Sequence, residues 1–333
     1  MPANVESMAY RKLGGVPWHG EGVPVDNNMS VDDMLDQSGL NWTVSKQPLY
    51  FPMPGENGKL KMRLVPDEFA LIRDTDMSVL DTVGAKYKPV QNADVFDFFR
   101  RFVLAGDMEL ETAGSLRGGR YIWCLAKIKD GSFSLPKGDK TDFYILLSQP
   151  HLFGVSLTAL LTGVRVVCQN TLTGALGGSM DGSKAKGAFR MSHSQAFDDS
   201  MKAEAERTLG LAHEGIKEYS HTAQLLAGVK AKPDMVTDYF QGVLQLEHDE
   251  VVTEAEMIDF ELNRNMKRFR EALVHQPGAE MSRGTWWSAF NAVTYTVDHV
   301  MSTDSNRLFS AWHGTGAQMK RRALNLAVEF AKA

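Results

Sequence analysis

The pattern of apolar and polar positions changes period several times along the chain. From Asn92, Val95, Phe98, Phe99, Phe102 and Val103 fall on one face at helical spacing and Gly106 ends the run, which predicts an amphipathic helix. Directly after it the period becomes two. "MELETAGSL", the turn "RGGR", "YIWCLAKIK", the turn "DGSFSLPKGDK" and "TDFYILLSQ" predict three antiparallel strands. Gly118-Gly119 between alternating runs is a hairpin signal, because tight hairpin turns need positive φ at their centre. The expected core is therefore a helix, three antiparallel strands and a further helix.

Ahead of this core, Ser30 suits an N-cap, Asp32 and Asp33 suit a first helical turn, and Gly39 suits a C-terminal cap. The strand "NWTVSKQPLYF" follows, then the turn "PGENGK", then "LKMRLVP" and "FALIRD" as two further strands. From Ser194 onward the pattern is helical to the end, with Pro233 opening one helix and Thr253 and Glu256 in capping-box spacing ahead of another. The predicted fold class is α+β: a helix plus an antiparallel three-stranded sheet core, with a β-rich N-terminal module (1–75), the core with its basic hairpin and loop (76–192), and an all-helical C-terminal region (193–333).

Composition narrows the function classes. At 333 residues and 43% hydrophobic the chain can bury a sizeable core. No run approaches the roughly 20 apolar residues that span a bilayer, and the first residues lack the layout of a secretory signal, so a cytoplasmic protein without a membrane partner is expected. Cys124 and Cys168 are the two cysteines and form no CxxC pair, which gives neither a disulfide framework nor a cysteine-rich zinc site.

Charge is unevenly placed. Residues 1–114 carry 11 Lys/Arg against 17 Asp/Glu, residues 115–190 carry 10 against 4, and residues 191–333 carry 15 against 20. A basic block of +6 thus sits inside a protein of net charge -5. Such a block is the footprint of a phosphate-binding surface and equally of a solvated basic face. In "YIWCLAKIK", Ile122, Cys124, Ala126 and Ile128 alternate with Tyr121, Trp123, Leu125, Lys127 and Lys129. Tyr121 and Trp123 are either a second buried face or a base-stacking platform beside lysines. The Gly- and Ser-rich stretch 177–190 carries Lys184, Lys186 and Arg190, and reads as a linker or as a loop closing over a nucleic-acid backbone.

Motifs for catalysis are weak. Cys168 could be a nucleophile, but none of the nine histidines has a defining spacing to it, and a buried thiol acting as a small apolar residue is the commoner case. There is no HExxH, and "SLRGGR" and "GALGGSMDG" fail the spacing of the phosphate loop and of the dinucleotide fingerprint. No catalytic residue, metal or cofactor is assigned. Gln169 and Asn170 behind "VRVVC" can bond phosphate, sugar or base edges, or satisfy backbone groups at an element's end.

"PWHGEG" (17–22), "SGLNWTV" (38–44), "YKPVQNADVFDF" (87–98), "ETAGSLRGGRYIWCLA" (111–126), "RVVCQNTL" (165–172), "WSAFNAVTYTVDH" (287–299) and "AWHGTGAQMKRRAL" (311–324) together resemble the phage/plasmid-like protein family, a domain of unknown function common in phages and mobile elements. The resemblance runs nearly end to end and implies no reaction. The element order also resembles, as analogy, the core of phage single-strand annealing proteins. That likeness implies a ring or filament holding single-stranded DNA by its backbone in a basic groove, without metal or nucleotide.

The expectation is a non-catalytic, homo-oligomeric protein of a phage or plasmid that binds and anneals single-stranded DNA in recombination or replication. Arg117, Arg120, Lys127, Lys129 and Arg165 would hold phosphates, Tyr121 and Trp123 would stack bases or wall the groove, and Lys184, Lys186 and Arg190 would close over the strand, with Gln169 and Asn170 beside them. The alternative is an oligomeric assembly or host-interaction protein, in which the basic block pairs with an acidic module of a neighbouring subunit. A hydrolase using Cys168 or a histidine site assembled by the fold is a third reading.

Overall fold

The computed structural model describes residues 4–12, 21–55, 59–166, 170–171, 188–210, 212–246, 264–301, 310–312 and 314–333. Strands β1 (Val5–Arg11) and β2 (Val23–Val25) precede helix α1 (Val31–Gln37), followed by β3 (Val44–Pro54), β4 (Leu60–Arg73), β5 (Val79–Gly84) and α2 (Asn92–Ala105). Then come β6 (Met108–Leu116), β7 (Tyr121–Leu135), β8 (Asp139–Pro150), β9 (Leu157–Arg165), β10 (Asn170–Thr171) and β11 (Ala188–Met191). The remainder is helical: α3 (Asp199–Gly210), α4 (Ala212–Gly228), α5 (Pro233–Leu244), α6 (Arg264–His275), α7 (Trp286–Thr296) continuing into a π-helical turn (Val297–Met301), and α8 (Thr315–Lys332). The protein is α+β with a helical C-terminal region, as the sequence pattern predicts.

The sheet is larger than expected. The predicted strands β6, β7 and β8 are the middle of an eight-stranded, largely antiparallel sheet of order β10-β9-β8-β7-β6-β1-β2, with β11 also paired to β9. A strand, β9, follows the third predicted strand where the pattern leads to a helix. The N-terminal segment contributes to this sheet as well, β1 pairing antiparallel with β6 and parallel with β2, while β3-β4-β5 form a separate three-stranded sheet. Two turn expectations also change. "LKMRLVP" and "FALIRD" are one strand, β4, because Pro66 lies on a stretch that β5 does not reach and so removes no ladder bond there. β7 runs through Asp130-Gly131, and the chain reverses at Pro136–Gly138, where Lys137 and Gly138 both have positive φ.

Contacts divide the chain into two units, each discontinuous in sequence: Met1–Lys127 with Ile145–Ala159 and Phe189–Arg207, and Ile128–Tyr144 with Leu160–Ala188 and Thr208–Ala333. These do not follow boundaries at 75 and 192. In the first unit, α1 is capped as its sequence dictates: Asp33 N donates to Ser30 Oγ, Ser30 N donates to the Asp33 carboxylate, and Gly39 lies just past the end at φ +69°. Helix α2 ends at Gly106 in the left-handed conformation and buries Val95, Phe96, Phe98 and Phe99, with Phe98 edge-on to Phe99 and Phe102. Asn92 at its start donates from Nδ2 to the Leu40 carbonyl.

In the second unit, α7 is buried at every position but Tyr295, its Asn291, Thr294 and Thr296 side chains donating to carbonyls of the same helix, with Trp286 against Tyr239 and Phe330 and Trp287 against Phe290. Pro233 opens α5 at its first turn, where the missing N–H costs nothing. Tyr239 Oη donates to the Ala323 carbonyl at 3.0 Å, which satisfies a hydroxyl that is fully buried. The capping-box pair Thr253 and Glu256 lies outside the described residues.

Candidate functional site

The basic hairpin is built by its glycines. Arg117, Gly118 and Gly119 all have positive φ, so the turn between β6 and β7 projects Arg117 and Arg120 at its two ends. Arg120 is exposed and Arg117 is half-buried, with its guanidinium 5.7 Å from the Tyr121 ring centroid. Past the turn the strand sinks. Both faces of β7 are buried over Tyr121–Cys124, Tyr121 retaining 8% exposure and Trp123 2%. Trp123 Nε1 donates to Thr112 Oγ1 at 3.4 Å, and its ring lies so close over Gly114 that a Cβ there would collide with it. Trp123 is thus a core side chain and not a stacking platform, because the sheet is covered on both faces at this point. Lys127 is half-buried and Lys129 exposed on the same strand.

Arg165 corrects a second expectation. Its side chain is 1% exposed and grips Asp139, equally buried, through Nε–Oδ1 at 2.7 Å and Nη2–Oδ2 at 2.8 Å. It also donates to the Pro277 and Gly278 carbonyls, and Trp287 Nε1 donates to Asp139 Oδ2 at 2.9 Å. With every prong engaged inside the second unit, Arg165 is a structural cation, not a phosphate holder. Arg190 is exposed on β11, and Asn170 lies in β10. Cys168, Gln169, Lys184 and Lys186 fall outside the described residues. Cys124 is buried, and burial alone pushes its thiol far above the usual range, so it is an inert apolar residue.

The first unit brings a loop to the basic turn that the sequence pattern passes over. The backbone N–H of His151 donates to the Arg120 carbonyl at 2.8 Å, and Phe153 N donates to the Asp81 carboxylate at 2.7 Å. Gly154 follows at φ +74°. Held at these two points, the loop presents the Phe153 ring 67% exposed, beside a cleft of about 220 Å³ that is also lined by Lys86, Tyr87, Ser156 and Ser192. At that size it accepts a single small ring or fragment, well short of the roughly 300–1,000 Å³ of drug-sized sites. Phe153 sits in the apolar run "HLFGVSL", where a phenylalanine reads as core; the neighbouring Gly154 is the sole hint of a turn.

Tyr87 and His193 form the floor of this region. Tyr87 stacks on His193 with centroids 4.6 Å apart, and His193 Nδ1 lies 3.2 Å from the Lys88 carbonyl. A carbonyl can only accept, so Nδ1 carries a proton there, and burial lowers the pKa of the ring. His151, fully buried, pairs Nε2 with Asn92 Oδ1 at 3.0 Å, and burial followed by the neighbouring His193 pushes its pKa down to about 3. Burial, with the Asp81 charge behind it, raises the Tyr87 phenol. Among the described residues no group of three or more His, Cys, Asp or Glu is placed to hold a metal ion. The arrangement offers cations, an exposed aromatic ring and hydroxyls, which are binding groups.

No curated protein and no solved structure matches the chain. A family model does, described as a domain of unknown function (DUF932), over residues 79–323. That span takes in the basic hairpin, the Phe153 loop and most of the helical region, so the chain belongs to the DUF932 family.

Proposed function

We propose that this protein binds single-stranded DNA non-catalytically, by its backbone, and acts in annealing during recombination or replication of a phage or plasmid. The observation that supports this most is the Phe153 ring, exposed on a loop hydrogen-bonded to the arginine turn. Nonspecific single-strand binding needs cations along the phosphates and an aromatic face for a base, and here Arg117, Arg120 and Lys86 supply the first and Phe153 the second. Stacking passes from Trp123 to Phe153 in this reading. Lys127, Lys129 and Arg190 extend the cationic surface, and the resemblance to phage and plasmid proteins supplies the biological setting.

Fluorescence anisotropy with labelled single-stranded and duplex oligonucleotides across salt tests it. The expected result is single-strand preference and an affinity that falls steeply with salt. Arg117→Glu/Arg120→Glu should reduce the salt slope by about 1–2, one unit for each lost phosphate contact. Absence of binding at low salt would refute the reading. It would favour the second one, an assembly or host-interaction protein, which one separate observation supports: at the β3–β4 tip Tyr50, Leu60, Met62 and Leu64 share one uncharged side and are each more than half exposed.

A further inference from the structure

The second unit holds a cavity that the nucleic-acid reading does not use. Helices α5, α6 and α7 meet around it, and backbone bonds fix how two of them meet. Ala231 N donates to the Gly284 carbonyl at 3.0 Å and Trp286 N donates to the Val229 carbonyl at 3.2 Å, across an isolated antiparallel bridge of Lys230 with Thr285. These bonds set the start of α5 beside the start of α7. Phe240 of α5 packs on Phe269 of α6 with ring centroids 5.1 Å apart, which brings in the third wall. The space between the three helices is about 530 Å³, more than twice the cleft beside Phe153 and within the roughly 300–1,000 Å³ of small-molecule sites.

Its walls divide by chemistry. Val236 and Phe240 of α5, Leu273 and Val274 of α6, and Ala289 of α7 make an apolar lining. Arg270 of α6 and Arg283, just ahead of the Thr285 cap of α7, supply two cations. Both are exposed, and among the described residues neither guanidinium has a hydrogen-bond or ion-pair partner. Arg73, Arg100 and Arg165, by contrast, are each held by carboxylates. Among the described residues no acidic side chain lines the cavity, so its two positive charges stand without a counter-charge. Thr285 and Ser288 add hydroxyls, and Ser288 N donates to Thr285 Oγ1 at 3.3 Å, which places the positive end of α7 at the same wall.

Charge and lining together specify an occupant. A guanidinium matches phosphate oxygens with two-pronged hydrogen bonds, and a phosphate monoester carries about 1.5–2 negative charges at neutral pH, close to one for each arginine. The apolar walls suit a hydrocarbon body. We infer that this cavity binds a small organic phosphate monoester, its head on Arg270 and Arg283 and an aryl or alkyl body against Val236, Phe240, Leu273 and Val274. The site shares no residue with Lys86, Arg117, Arg120 and Phe153, so it stands or falls apart from the nucleic-acid reading.

Isothermal titration calorimetry of the full chain with four probes provides the test. 1-Naphthyl phosphate and octyl phosphate carry head and body, inorganic phosphate is the head alone, and 1-naphthol is the body alone. At least one monoester should bind about tenfold or more tightly than inorganic phosphate and 1-naphthol, and the tighter monoester shows whether the body is aryl or alkyl. Arg270→Gln/Arg283→Gln should weaken that monoester by about tenfold or more, as should Val274→Glu, which sets a carboxylate on the wall. Lys267→Gln, on α6 but away from the cavity, should change nothing. All four positions are exposed, so urea midpoints close to wild type will show that the fold is kept.

The inference is overturned if neither monoester binds, if inorganic phosphate binds as tightly as the monoesters, or if 1-naphthol does. It is overturned equally if the arginine double variant binds like wild type while Phe153→Ala does not, since the heat then belongs to the cleft of the first unit. Oligonucleotide affinity that falls in Arg270→Gln/Arg283→Gln with monoester affinity unchanged would give the two arginines to nucleic acid instead.

Discussion

Arg165 meets Asp139 in a two-pronged ion pair at 2.7 and 2.8 Å, with both side chains 1% exposed and Trp287 donating to the same carboxylate. Removing one partner strands the other as a buried, uncompensated charge. Asp139→Ala should cost about 3–5 kcal/mol of stability, whereas Asp139→Leu/Arg165→Met should recover most of that loss. Urea unfolding followed by circular dichroism decides it. Equal losses in the single and double variants would show that the charge is not what matters there.

His151 and His193 set a pH dependence. Burial lowers both pKa values below the ordinary value of about 6.5, to about 3 for His151, so between pH 6.5 and 3 the unfolded chain binds a proton at His151 that the folded chain refuses. The stability that His151 contributes is complete above pH 6.5 and is lost as pH falls toward 3, by about 1.4 kcal/mol per pH unit, and His193 acts in the same direction. His151→Gln should flatten the profile of urea midpoints between pH 6.5 and 4. An unchanged profile would contradict the neutral, buried imidazole.

Gly114 is required by proximity. A methyl group there would collide with the Ser7 carbonyl and the Trp123 ring, both held within the first unit. Gly114→Ala should destabilise by about 1–3 kcal/mol, the usual range for overpacking, and shift tryptophan emission. Gly118→Ala meets no atom but is strained by φ +66°, so it should cost about 1 kcal/mol and leave the emission unchanged.

Phe153 separates binding from folding. Phe153→Ala, at an exposed position, should leave the unfolding midpoint within about 0.5 kcal/mol of wild type. Single-strand affinity should weaken by about 1–3 kcal/mol with the salt slope intact, since a stacking contact carries no counterion. Anisotropy titrations at two salt concentrations measure both quantities. A changed slope with unchanged affinity would remove the ring from the interface.

What was legible in the sequence is what local chemistry decides. Ser30, Gly39 and Gly106 bound their helices because caps act within a few residues, and Gly118-Gly119 marks a turn that needs positive φ. Partnerships across long separations were not legible. Arg165 reads as one more cation of a basic block until Asp139, 26 residues away, and Trp287, 148 residues from Asp139, are brought to it. Trp123 reads as a second buried face or as a platform, and only the cover on both faces of the sheet decides for the first, while Phe153 reads as core until the loop bonds to Arg120 and Asp81 hold it out. The enlarged sheet escaped the pattern for the same reason: β1 pairs with β6 from more than a hundred residues away.

Between the pairs Pro48↔Phe69 and Tyr50↔Leu64, four residues of β4 lie opposite Leu49 alone, and this bulge bears on how the chain can vary. Because the ladder is interrupted there, the packing that holds Val44 and Ala70–Ile72 does not depend on which side chains follow beyond Tyr50. Substitutions at the exposed tip, Tyr50–Pro54 with Leu60–Leu64, should therefore leave the register of Val44–Pro48 on Phe69–Arg73 unchanged.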